Sequence, residues 1–138
     1  MATTQFELVT PSATLFSGQA EMIVCKTVDG EIAFLADHMP YIGALDPCLV
    51  RVIGAEAPGV ATSESGEVRV AVHGGFVEVK DNQVIMLADI AQRPDEIDVA
   101  AAERDEADAT SRAGAGPEDR TAEQDLKWAQ ARLEAARP

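Results

Sequence analysis

Glu67-Val68-Arg69-Val70-Ala71-Val72-His73-Gly74-Gly75-Phe76-Val77-Glu78-Val79-Lys80-Asp81-Asn82-Gln83-Val84-Ile85-Met86-Leu87 decides the fold class. In its first third, Val68, Val70 and Val72 alternate with Glu67, Arg69 and Ala71. A period of two puts one set on each face of a strand. Gly74-Gly75 then breaks the run, as a bend or bulge would. Residues 76–80 and 83–87 flank Asp81-Asn82, a pair suited to a tight hairpin turn.

The same grammar extends upstream. Phe6 and Leu8 alternate with Glu7 and Val9, and Thr10-Pro11-Ser12 ends that run. Short apolar runs recur at residues 14–16, 21–27, 31–35 and 49–53. They are punctuated by Ser17-Gly18, Asp29-Gly30, Gly54 and Pro58-Gly59, and residues 63–66 form a further turn cluster. Breakers every eight to ten residues, with no helical period, predict an all-β sandwich or barrel up to about residue 90.

After Arg93-Pro94 the pattern changes. Residues 96–112 are dominated by Ala, Glu, Asp and Arg and contain no Gly or Pro. This predicts a helix with Asp95 as its N-cap, where acids meet the positive end of the dipole. Residues 113–117, Ala-Gly-Ala-Gly-Pro, predict a break. Pro117 suits the start of a second helix, and Thr121 with Gln124 suits a capping box. Ala122, Leu126, Ala129, Leu133 and Ala136 form one stripe at helical spacing, and Trp128 lies off it. The expected unit is an antiparallel helical hairpin with a thin Ala/Leu seam. Ala buries little area, so such a hairpin is weakly held and able to move. The domains expected are a sandwich over residues 1–90 and a helical hairpin over residues 91–138.

Composition narrows the function. The chain has 138 residues, 46% of them hydrophobic, enough to bury a core. Aromatics are 4%, so Val, Ile, Leu and Ala must build it. The net charge is −13, with twelve acids against five bases in residues 1–94 and twelve against six in residues 95–138. No basic patch exists to displace counterions from phosphate, which argues against nucleic acid and against direct docking on anionic lipid. No apolar run approaches the ~20 residues of a spanning helix, and Met1-Ala2-Thr3-Thr4-Gln5 lacks the features of a signal peptide. Cys25 and Cys48, each in an apolar strand, read as two buried thiols rather than a disulfide.

No catalytic constellation assembles. His38 and His73 are the two histidines, and a metal site needs further ligands around them. Asp37 beside His38 is a weak start, because neighbours in a strand point to opposite faces. Glu103, Asp105, Glu106 and Asp108 read as a solvated helix face. No phosphate loop is present. The residues alone describe a small acidic sandwich with a helical hairpin, an interaction module without cofactor, metal or catalytic residue. Two rivals stay open: a free-standing sandwich binding a small ligand, and a metal-assisted hydrolase using Asp37, His38 and His73.

Four stretches add a resemblance: residues 6–11 with 15–20, residues 30–35 with His38-Met39-Pro40, residues 74–79, and residues 84–88 leading to Ile97-Asp98-Val99. In order and spacing they resemble the epsilon subunit of bacterial F-type ATP synthase, closely over the first ninety-odd residues and loosely beyond. The resemblance implies a ten-stranded sandwich plus a two-helix domain, and a non-catalytic place in the central rotor stalk. It implies binding to the gamma subunit and to the polar loops of the c-subunit ring, at the cytoplasmic face of the bacterial inner membrane. There Glu31, Ala33 and His38 match the residues facing those loops. The family usually carries Pro where this chain has Ala36. In some members the hairpin extends toward the alpha and beta catalytic subunits and inhibits hydrolysis through basic residues. Some bind ATP through Ile/Leu-Asp-x-x-Arg-Ala. Ile97 and Asp98 match that signature, but Ala101 stands at the Arg position, so the guanidinium for phosphate is missing.

Overall fold

A computed structural model describes residues 2–57, 66–115 and 120–137. Ten strands and two helices follow one another, the number that the resemblance implies; residues 41–44 and 90–92 are strands that the alternation did not show. The strands are β1 (Thr4–Val9), β2 (Thr14–Ala20), β3 (Met22–Thr27), β4 (Gly30–Leu35), β5 (Tyr41–Ala44), β6 (Cys48–Ile53), β7 (Val68–His73), β8 (Phe76–Lys80), β9 (Gln83–Leu87) and β10 (Ile90–Gln92). A 3-10 turn, Pro94–Glu96, leads to α1 (Val99–Ala115) and α2 (Arg120–Ala136).

The strands form two five-stranded sheets. The first has the order β2-β1-β9-β8-β5, with β1 and β9 parallel, and the second has the order β10-β7-β6-β3-β4. The alternation read from the sequence sets their facing. Val68, Val70 and Val72 point between the sheets with Phe6, Leu8, Ile23, Val50, Val52, Val77, Val79, Val84 and Met86. Aliphatic residues supply most of this core, yet Phe6, Phe16 and Phe34 sit fully buried at its centre, with Phe6 and Phe16 centroids 5.4 Å apart. Few aromatics therefore still anchor the interior, because each fills more volume than any aliphatic neighbour.

The Asp81-Asn82 hairpin forms as the sequence requires, both residues in the left-handed region at φ 52° and 57°. Gly75 has φ 99°, and any Cβ there would strike the backbone carbonyl of Leu87. Hence the second Gly of the Gly-Gly break lets β8 turn tightly against β9.

The helices differ from the expectation at their ends. Asp95 lies in the 3-10 turn, and Ile97 is extended and packs with Leu49, Ala71 and Trp128. Burying Ile97 there delays the helix. Asp98 becomes the cap, its carboxylate accepting the N–H of Ala101 at 3.1 Å. Helix α1 continues through residues 113–115, which the sequence reading assigned to the break. Thr121 lies inside α2 rather than at its cap. Pro58-Gly59, residues 63–65 and Pro117 lie outside the described residues.

Helix α2 is the middle layer. One face meets α1 through Ala102, Ala109, Ala122, Ala129 and Leu133, all buried. A second face, Trp128, Ala131 and Ala135, lies on Leu49 and Ala71 of the second sheet. So Ala71, on the outer side of β7, is covered by the hairpin. The single-stripe reading of α2 missed this second face because two of its three members are Ala.

Candidate functional site

Glu31 and Ala33 alternate along β4, an edge strand, and so share the outer face of the second sheet with Leu35. His38 lies in the loop past the end of that strand. At ~3.3 Å per residue, Leu35 is about 13 Å along β4 from Glu31. The three residues singled out in the sequence therefore run along one edge and around its corner rather than converging on a point.

The corner is tightly made. The N–H of His38 donates to the Leu35 carbonyl at 3.2 Å. Nδ1–H of His38 donates to the Met39 carbonyl at 2.7 Å, which leaves Nε2 as the acceptor of the neutral ring. The ring stands edge-on to Phe34, centroids 5.1 Å apart. Asp37 is left-handed at φ 60°, and its N–H donates to Asn82. His73 sits at the far end of β7, against Trp128 at 5.4 Å between centroids. The fold thus places His38 and His73 at opposite ends of the sandwich, and Asp37, His38 and His73 are not brought together.

A second surface was not read from the sequence. The register aligns Ile42, Glu78, Ile85 and Glu7 in one row across the first sheet, and Ala44, Phe76, Leu87 and Val9 in the next. These rows face away from the core. Ile42 is 70% exposed, Phe76 59%, Leu87 54% and Ile85 36%. The signal was present: Val84-Ile85-Met86-Leu87 is apolar on both faces of its strand, although the chain supplies only one core for it. A contiguous apolar patch of this kind marks a partner surface.

Residues 3–94 match the family described as ATP synthase, Delta/Epsilon chain, beta-sandwich domain. The chain belongs to this family. The ATP synthase epsilon chain of Shouchella clausii is 36% identical over 99% of this chain and 97% of that one. That of Thermobifida fusca is 47% identical over 95 residues, 67% of this chain and 64% of the relative, so the match spans less than two thirds of that protein. Among solved structures, a chain of the Euglena gracilis mitochondrial ATP synthase, determined as OSCP/F1/c-ring, has the same fold, with a TM-score of 0.73, 24% identity and coverage of 99% and 82%. A chain of the Tetrahymena thermophila central stalk and c-ring has a TM-score of 0.61, 16% identity and 96% coverage of both.

In this member of the delta/epsilon family the hairpin is docked. Nζ of Lys127 reaches Asp46 at 2.9 Å, and Arg69 donates to the backbone carbonyl of Arg137 at 2.6 Å, at the end of α2. Nε of Arg69 is buried without a hydrogen bond, with Glu67 at 3.8 Å giving electrostatic compensation only. Between the helices, Arg112 pairs with Asp125 at 2.8 Å and Arg132 with Asp105 at 2.9 Å. Arg132 also lies 5.2 Å from the Trp128 ring centre. These groups, with Asp108, line a cleft of about 250 Å³ in which two guanidiniums, both already paired, face three carboxylates. Ile97 and Asp98, the two matches to the ATP signature, are engaged elsewhere, in packing and in capping α1.

Proposed function

We propose that the chain works as the epsilon subunit of an F-type ATP synthase, a non-catalytic part of the central stalk that couples ion-driven rotation to ATP synthesis. The observation that carries this is the exposed apolar face of Ile42, Phe76, Ile85 and Leu87, which a monomer has no reason to leave in water. In this reading that face docks on the gamma subunit. The β4 edge and its corner, with Glu31, Ala33 and His38, meet the polar loops of the c-ring. The hairpin, layered on the opposite sheet, is the part that can reach the alpha and beta catalytic subunits. No described helix is long and apolar enough to cross a membrane. In the proposed arrangement the chain sits at the cytoplasmic face of the bacterial inner membrane and is held there by its partners.

Co-purification with the cognate gamma subunit tests the reading. The wild type and a chain ending at Arg93 should both bind. Phe76→Asp and Ile42→Asp should bind at least tenfold less while keeping their folded circular dichroism, since each exposed side chain makes no core contact. Failure of every form to bind gamma would end the rotor-stalk assignment.

A further inference from the structure

In β3, the backbone groups of Lys26 point toward the β6 side: its carbonyl accepts the N–H of Asp46 at 3.0 Å, and its N–H donates to Sγ of Cys48 at 3.3 Å. Backbone groups alternate direction along a strand. Ile23, Cys25 and Thr27 therefore bond to β4, where they oppose Phe34, Ile32 and Gly30. It follows that Glu31, Ala33 and Leu35 turn their N–H and carbonyl groups outward. No described strand pairs with that side of β4. The Leu35 carbonyl is taken by His38, and the run stops at the Val28-Asp29 turn. What remains is a short open edge centred on Glu31 and Ala33.

Other edges of the sandwich are blunted. The outer edge of β2 meets Glu56 through reciprocal bonds with Gln19. β5 is short and follows Pro40, and β10 has three residues. β4 carries neither Pro, nor bulge, nor Lys, the usual protections of an edge. Its surroundings are net acidic: Asp29, Glu31 and Asp37 are exposed, against one cation, Lys26, which opposes Glu31 on β3. Exposed Val28, Leu35 and Met39 flank it.

We propose that this edge takes a short extended, basic segment of a c-ring loop by strand addition. Backbone groups of Glu31 and Ala33 pair with that segment while the acidic rim holds its cations. This rests on the ring-facing reading of Glu31, Ala33 and His38 above, and states how that contact is made. Strand addition draws affinity from main-chain bonds rather than from side chains alone.

Hydrogen exchange resolved to single amides, on the free chain and on the assembled complex with gamma and the ring, gives the test. Assembly should slow the amides of Glu31 and Ala33 by about tenfold or more, the loss of roughly two exposed donors to hydrogen bonds. Ile32 and Phe34, already bonded to β3, should be protected in both states. A second arm uses Ala33→Pro, which deletes an outward donor that the sandwich itself does not use, against Ala33→Thr, which keeps it. The Pro variant should weaken assembly with the ring by about tenfold, and the Thr variant should not. Assembly with unchanged exchange at Glu31 and Ala33 would overturn strand addition and leave a contact made by side chains alone. Failure of the chain to assemble with the ring would overturn the ring-facing reading as well.

Discussion

Oδ1 of Asn82 accepts the backbone N–H of Asp37 at 2.8 Å, joining the β8–β9 hairpin to the loop that follows β4. The same side chain donates through Nδ2 to the carbonyl of Thr3 at 3.0 Å, and the Asn82 carbonyl accepts from Thr4 Oγ1 at 2.8 Å and from the N–H of Gln5 at 3.2 Å. Asn82 is thus a turn residue and also the knot that fixes the corner carrying His38. Asn82→Ala should cost about 2–3 kcal/mol: two side-chain bonds at ~1 kcal/mol each and a further penalty for Ala in the left-handed region. Asn82→Gly relieves only the last part. Urea unfolding of both variants separates the two contributions, and the Asp37 amide should exchange faster in each.

Gly75→Ala should prevent folding altogether. A Cβ would occupy the space of the Leu87 carbonyl at φ 99°, and the main chain there has no flexible side chain to move aside. Soluble yield and circular dichroism report this, with Gly30→Ala as a control. Gly30 has φ 120° but open space around it, so its substitution should cost only about 1–2 kcal/mol.

Trp128 is the chain's single Trp and lies at the joint between α2 and the sandwich. Its emission therefore reports docking of the hairpin. The hairpin's hold on the sheet is Trp128, three small or medium apolar neighbours on α2 and the linker, Leu49, and the ties at Asp46 and Arg69. Among the described residues, the sandwich has a separate core of twenty buried side chains. Emission should therefore shift at lower urea than the loss of sheet signal. Trp128→Ala, half-buried here, should remove roughly 2 kcal/mol of docking and leave the sheet transition nearly unchanged. Coincident transitions would show that the two units unfold as one.

Burial pushes the thiol of Cys25 up to about 12 and that of Cys48 to about 11, from an ordinary 9.0. A raised thiol means the neutral form is favoured in the folded state. That contribution is complete below about pH 9 and is lost as pH rises toward 11. Stability measured by urea should fall as pH rises from about 9 to about 11. Both thiols should react with an exposed-thiol reagent only on unfolding.

Residues 95–138 carry twelve acids and six bases, so they lack the surplus of basic residues through which, as the resemblance implies, some members inhibit hydrolysis. Removing them should leave ATP hydrolysis by the assembled complex nearly unchanged. Strong activation on truncation would contradict this. Ala101, in place of the signature Arg, and the engagement of Ile97 and Asp98 predict no ATP affinity in the micromolar range by calorimetry.

The sequence by itself determined eight of the ten strands, the Asp81-Asn82 hairpin, the inward Val68-Val70-Val72 face, the two helices and the family. Each is written in local terms: a period of two, a turn dipeptide, an apolar stripe, an order of short motifs. Only the tertiary structure decided what depends on pairing between distant segments. Register across three strands turned Ile42, Phe76, Ile85 and Leu87 into one exposed patch. The direction of the β3 backbone bonds decided that Glu31 and Ala33 face outward. The packing of Ile97 under α2 moved the helix cap from Asp95 to Asp98. Trp128, without a place in the stripe of its own helix, found one on the sheet, because a helix between two layers must satisfy both. Local patterns fix which face of an element is apolar, whereas the partner for that face is fixed only when the chain closes on itself.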